Sequence, residues 1–148
     1  IREDDLTKND LCQLIQRGAF KNFVNGFHDV IKMINDTNST RLSDSEQSFF
    51  AKCIVGNKLN ILRRIKQGDP TVVNDLAKEG IQGNNRYNFS FASKFCTYMS
   101  RYHFGEKDKF MPYDKVLQNV LPYYAWAYCR KDEVKNFKQK KVMKTILR

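Results

Sequence analysis

Lys94 and Asp114 are the two residues of this chain whose chemistry and spacing could support a reaction. Lys94 closes Ser90-Phe91-Ala92-Ser93-Lys94, a lysine set after a small-apolar-small triplet, and Asp114 follows twenty residues later in Met111-Pro112-Tyr113-Asp114. A lysine amine is a poor nucleophile while protonated, and apolar surroundings or nearby positive charge favour its neutral form. Phe91, Phe95 and Tyr98 would supply such surroundings on a helix. A carboxylate brought to the same substrate atom could orient a water or stabilise a developing cation. Both residues also have ordinary roles. A lysine at the edge of an amphipathic helix snorkels, and an aspartate opening a helix is most often an N-cap worth about 1 kcal/mol.

The elements that must position them are helical, because the apolar periodicity is helical almost throughout. Leu11, Leu14, Ile15, Phe20, Phe23, Phe27, Val30, Ile31 and Ile34 recur at three- and four-residue steps, which predicts one core helix or two broken near Gly18 or Gly26. Asn35 to Leu42 is polar and turn-like, and Ser43-Asp44-Ser45-Glu46 matches a capping box, in which the serine and glutamate side chains satisfy free amides at a helix start. A long helix is predicted from about Asp44 to Lys66, with Phe49, Phe50, Cys53, Ile54, Leu59, Leu62 and Ile65 on its apolar face. Gly68-Asp69-Pro70 stops it and starts a shorter helix over 71–78, since proline suits a first helical turn and breaks an interior one. Gly80 to Asn88, with Gly83-Asn84-Asn85, reads as a loop of residues that tolerate positive φ.

Helix returns at about Ser90, where Phe91, Phe95, Tyr98, Met99 and Tyr102 take the spacing of one buried face with Lys94 at its edge. A charged loop over 105–112 leads to a further helix near Asp114, which Pro122 ends or kinks. Tyr123-Tyr124-Ala125-Trp126 then opens an aromatic segment before a basic terminal helix. No alternating strand pair, repeat or linker stands out. The expectation is an all-α chain, a compact multi-helix single domain over 1–148.

With 148 residues, 41% hydrophobic and 13% aromatic, the chain can bury a core and is not globally disordered. The 26 Lys+Arg against 16 Asp+Glu give a net charge of +10, a field that attracts polyanions and makes nucleic acid the leading partner, although charge does not separate DNA from RNA. The excess concentrates over 130–148, where eight basic residues face two acidic ones, and Lys138, Lys140, Lys141 and Lys144 are the candidates to grip phosphates. A basic helix can equally be a solvated face, a membrane-surface helix or a segment that docks a protein partner.

Cys12, Cys53, Cys96 and Cys129 are scattered without C-x-x-C spacing, so the expectation is four reduced thiols, no metal and no cofactor. No apolar run approaches the ~18 residues that span a bilayer, and the first residues lack the order of a signal peptide, which predicts a cytoplasmic protein without a membrane segment. Ile1 is an unusual first residue and raises the expectation of a piece of a longer chain. His28 and His103 carry no zinc or triad spacing around them.

The region 88–120, under a quarter of the chain, resembles the core of the helix-hairpin-helix DNA glycosylase superfamily, the group of endonuclease III and the 8-oxoguanine glycosylases, as a divergent bacterial member. In that family a Gly-apolar-Gly hairpin precedes the catalytic lysine by one residue, and the catalytic aspartate begins a helix about twenty residues on. The resemblance implies a degenerate hairpin at Ser90-Phe91-Ala92, with Ser90, Ala92 and Ser93 against nucleic acid. It further implies duplex DNA as the partner, with Lys94 as a Schiff-base nucleophile and Asp114 as the activating carboxylate of base excision in DNA repair. A flipped nucleotide would be held among Tyr98, Tyr102, Tyr113, Tyr123, Tyr124 and Trp126. Ser90 and Ala92 stand where the family has glycines, which removes backbone freedom. Two further classes follow from the residues themselves: a non-catalytic helical module that binds nucleic acid, and an interaction domain, as in a defence assembly, whose basic tail docks an acidic partner.

Overall fold

The computed structural model describes residues 3–17, 24–38, 40–56, 58–113 and 119–123, with side chains from Asn9 onward. Every regular element among them is helical. The chain divides into two compact units, Ile1–Pro112 and Tyr113–Arg148. In the second unit only Tyr113 and the helical stretch 119–123 are described.

The first unit opens with α1 (Glu3–Gln16) and α2 (Val24–Asn38). Leu11 and Ile15 of α1 and Phe27, Val30, Ile31 and Ile34 of α2 are buried, the three-and-four spacing read from the sequence. α1 ends at Gln16 and Gly26 is a buried residue inside α2, so no break falls there; Gly18, Phe20 and Phe23 lie outside the described residues. The capping box at Ser43 forms as expected: Glu46 N–H donates to Ser43 Oγ at 3.3 Å and Ser43 N–H donates to Glu46 Oε2 at 2.7 Å. It starts α3 (Asp44–Val55).

The long helix expected over 44–66 is instead two helices, α3 and α4 (Ile61–Gln67). Gly56 leaves α3 with extended backbone, its N–H still bonded to the Lys52 carbonyl, and Asn60 enters α4 in the left-handed region at φ 48°. Periodicity could not reveal this break. Phe50 and Ile61 are eleven residues apart, about three helical turns at 3.6 residues each, so an unbroken helix would put them on the same stripe that burial selects. Gly68, at φ 71°, ends α4 as predicted.

The next helix, α5 (Thr71–Asn84), runs past the expected end at 78 and absorbs much of the predicted loop. Two glycines permit it by close approach. A Cβ at Gly80 would meet the Arg86 carbonyl and the Asn88 amide, and one at Gly83 would lie 3.1 Å from the Phe49 ring. Asn85, at φ 54°, is the left-handed cap, a conformation asparagine tolerates better than most residues.

A three-residue turn leads to α6 (Phe89–Tyr98), which continues as a π-helical turn, Met99–His103, closed by the Phe104 N–H on the Met99 carbonyl at 3.2 Å. Every residue from Phe91 to Ser100 is buried. The expected single buried face is therefore a helix enclosed on all sides, with contacts to α2 and α5, and Phe91 packs its ring on Phe50 at 4.7 Å. Its polar residues survive burial because each has a partner: Ser93 donates to the Ser90 carbonyl and Thr97 to the Ser93 carbonyl. No described helix is long and apolar enough to cross a membrane.

Candidate functional site

Lys94 lies on the side of α6 that meets the end of α2. It is 8% exposed, and its Nζ donates to the backbone carbonyl of Asn38 at 3.0 Å. Asn38 is the last residue of α2, so its carbonyl is one of the four at a helix C-terminus that have no partner inside the helix. The same end carries the negative pole of the helix dipole. A charge-assisted bond of this kind is worth about 1.5–3 kcal/mol, which offsets the desolvation of the ammonium. One turn on, the Tyr98 hydroxyl donates to Asn38 Oδ1 at 2.7 Å. Burial pushes the Tyr98 phenol above its ordinary pKa, the Asn38 bond opposing this and Tyr102 adding to it, so the phenol is a neutral donor. Tyr98 also stacks on Tyr102, 5.8 Å between centroids and 4° between planes.

The turn after Asn38 is held in the same manner. Arg86, in the turn between α5 and α6, donates to the carbonyls of Arg41 at 3.0 Å and Thr40 at 3.1 Å. The Asn35 side chain accepts from the Leu42 N–H and the Thr40 hydroxyl and donates to the Leu42 carbonyl. Arg41 sits at φ 58°, a left-handed conformation that costs an ordinary residue about 1–2 kcal/mol, and these bonds hold it there. Two cations from the α5–α6 region thus satisfy three carbonyls at the α2–α3 connection. The arrangement clamps helices together. For Lys94 to attack a substrate carbon, its amine must first leave the Asn38 carbonyl.

The residues expected to form a degenerate hairpin are helical. Ser90, Ala92 and Ser93 lie within α6, the Ala92 N–H is bonded to the Asn88 carbonyl at 3.0 Å, and Ala92 and Ser93 are buried. A phosphate therefore has no exposed amide to approach at Ala92, because α6 begins at Phe89 and is the central helix of the unit. Asp114, Lys138, Lys140, Lys141 and Lys144 lie outside the described residues, as do Tyr124, Trp126 and Cys129. Asn35, Asn38 and Arg86 were missed by residue chemistry. Their only sequence signal is the polar turn, and their partners lie up to 60 positions away.

The other chemical groups do not gather. Among the described residues no cluster of histidine, cysteine, aspartate and glutamate could hold a metal ion. Cys12 and Cys53 are half-buried, Cys96 is buried, and all three are free thiols. Burial pushes Cys96 up to about 12, far from a reactive thiolate.

A family model, HI_0787_N: N-terminal domain, matches residues 4–106. The matched span contains Lys94 and stops short of Asp114. An uncharacterized protein of Haemophilus influenzae is 31% identical over 122 residues, an alignment that covers 79% of this chain and 56% of that protein. The chain thus spans little more than half the length of the curated relative it matches. No solved structure matches it.

Proposed function

This chain belongs to the HI_0787_N N-terminal-domain family, and we propose that its helical unit is a non-catalytic module that binds nucleic acid, with Lys94 as a structural clamp. The observation that carries the non-catalytic part is the bond from Lys94 Nζ to the Asn38 carbonyl at a site that is 8% exposed. The net charge of +10 supports a polyanion partner for the chain, with most of the excess over 130–148 rather than in the first unit, and binding through Lys and Arg to phosphates is steeply salt-dependent. Among the basic residues, the Arg64 charge is already met by Asp69 and Asp75 at 2.8 and 2.7 Å.

Two measurements test the reading together. Titration of duplex DNA at several salt concentrations should give an affinity that falls linearly with log salt, and binding without a salt slope, or none at all, overturns the nucleic-acid part. Borohydride trapping on oligonucleotides with an abasic site or damaged bases should give no adduct. A covalent adduct that disappears in Lys94→Gln, with folding intact, would restore base excision with Lys94 as nucleophile.

A further inference from the structure

A second lysine caps a helix end, at α4 and apart from the Lys94 clamp. Lys109 Nζ donates to the backbone carbonyl of Lys66 at 2.9 Å and meets Glu106 Oε2 at 2.7 Å. The last carbonyls of α4 have no partner inside the helix. Those of Ile65 and Arg64 accept from the Gly68 and Asp69 amides, both at 3.0 Å, and that of Lys66 accepts from Lys109. The lysine stem reaches it across Gly68, where a Cβ would lie 3.0 Å from Lys109 Cδ. Gly68 therefore serves twice, because it also takes φ 71° to end the helix.

The segment that carries Lys109 is anchored firmly at one end. The Glu106 N–H donates to the Ser100 carbonyl at 2.9 Å and the Glu106 carbonyl accepts from Ser100 Oγ at 3.1 Å, and Ser100 is buried. Beyond Glu106 the hold passes to side chains. Among the described residues no backbone–backbone hydrogen bond ties 107–112 to the rest of the unit; Lys109 reaches α4, half-buried Phe110 packs on the core, and Lys107, Asp108 and Met111 are exposed. We infer that 107–112 is a strap, hinged after Glu106 and fastened by Lys109 across Gly68, that sets the length of chain leading out of the first unit. The fastening is reversible, because the Lys109 and Glu106 side chains are 33% and 40% exposed and ion pairs so placed are weak. Segments with few buried contacts open locally while the core stays folded. Fastened, the strap keeps the chain on α4 up to Pro112, where the unit ends. Open, it adds 107–112 to the connection, up to about 20 Å of extended reach.

The strap is independent of the nucleic-acid reading, and amide hydrogen exchange on the full chain tests it. Peptides covering 107–111 report the strap, and those from α2 and α6 report the core. Lys109→Met keeps the apolar stem over Gly68 and removes the ammonium, so exchange over 107–111 should rise severalfold with α2 and α6 unchanged. Gly68→Asn reaches the same end by another route. Asparagine tolerates the left-handed backbone, but its Cβ displaces the Lys109 stem, and exchange over 107–111 should rise again. Lys109→Arg restores a cationic donor and should stay nearer the parent than Lys109→Met does. Unchanged exchange over 107–111 in Lys109→Met overturns the inference, as does a rise shared equally by α2 and α6, which would make the segment part of the cooperative core. A Gly68→Asn protein without the local rise would overturn the fastening across Gly68.

Discussion

Replacing Gly80 by alanine should destabilise the protein although alanine is the better helix former. Gly80 lies within α5, where the turn into α6 folds back over it, and a Cβ there would collide with the Arg86 carbonyl and the Asn88 side-chain nitrogen and lie 3.3 Å from Asn88 Cγ. Neither neighbour can step aside cheaply. Asn88 is 3% exposed and its amide donates to the Arg86 carbonyl, while the turn is tied to α5 by Arg86 N–H on the Gly80 carbonyl and Asn88 N–H on the Ala77 carbonyl, both at 3.3 Å. Overpacking costs about 1–3 kcal/mol, weakening one of these backbone bonds adds about 1, and helix propensity offsets about 1. The net is a loss of about 2 kcal/mol, a fall in Tm of roughly 6–8 °C for a domain of this size. Gly83→Ala is the matched control, because the atoms nearest its Cβ all belong to the half-buried Phe49 ring, at 3.1–3.3 Å, a side chain that can give way where backbone cannot. That variant should stay within about 0.5 kcal/mol of the parent. Thermal and urea melts followed by far-ultraviolet circular dichroism read both. A Gly80→Ala protein as stable as the parent, or no less stable than Gly83→Ala, would refute the close approach that lets α5 extend to Asn84.

Three further outcomes follow from the same geometry. Lys94→Met, which keeps the apolar stem and removes the donor to the Asn38 carbonyl, should lower stability by about 1–2 kcal/mol in urea melts; a neutral result would show that the clamp holds nothing. Burial pushes the Glu46 carboxyl up, but the Ser43 amide, the Asn84 and Ser43 side chains and the Arg86 charge outweigh it and leave its pKa below 4.5. A carboxylate with a depressed folded pKa stabilises above its unfolded value and loses that contribution as pH falls through the folded one. Glu46→Gln should therefore be less stable than the parent at pH 7, and the gap, measured by paired melts, should close as pH falls through the folded pKa. Asp69 is held at about 2 by the Thr71 hydroxyl, the Arg64 guanidinium and the Thr71 amide, so its carboxyl resonance should titrate near there. Thr71→Val should raise it toward 3.8, and an unmoved titration would remove the hydroxyl from the explanation.

The helical character, the start of α3 and the end of α4 were legible in the sequence because each is decided within a few residues. The capping box needs only Ser43 and Glu46, the stop at Gly68 needs only a residue free to take φ 71°, and Phe91 and Phe95 mark a buried face by spacing alone. Tertiary structure decided the rest. The division of the 44–66 segment into α3 and α4 keeps the stripe of Phe50, Ile54, Ile61 and Ile65 in phase, so the hydrophobic pattern is the same with or without it. The extension of α5 depends on which chain crosses Gly80 and Gly83. Lys94 shows the division most clearly. Its sequence placed it at the edge of an apolar helix with neighbours suited to a nucleophile, and that is all local spacing can encode. The donor–acceptor pair with Asn38 spans 56 positions, and an ammonium is drawn to whichever unpaired carbonyl the fold brings within reach, a choice made by the meeting of two helices and by neither alone.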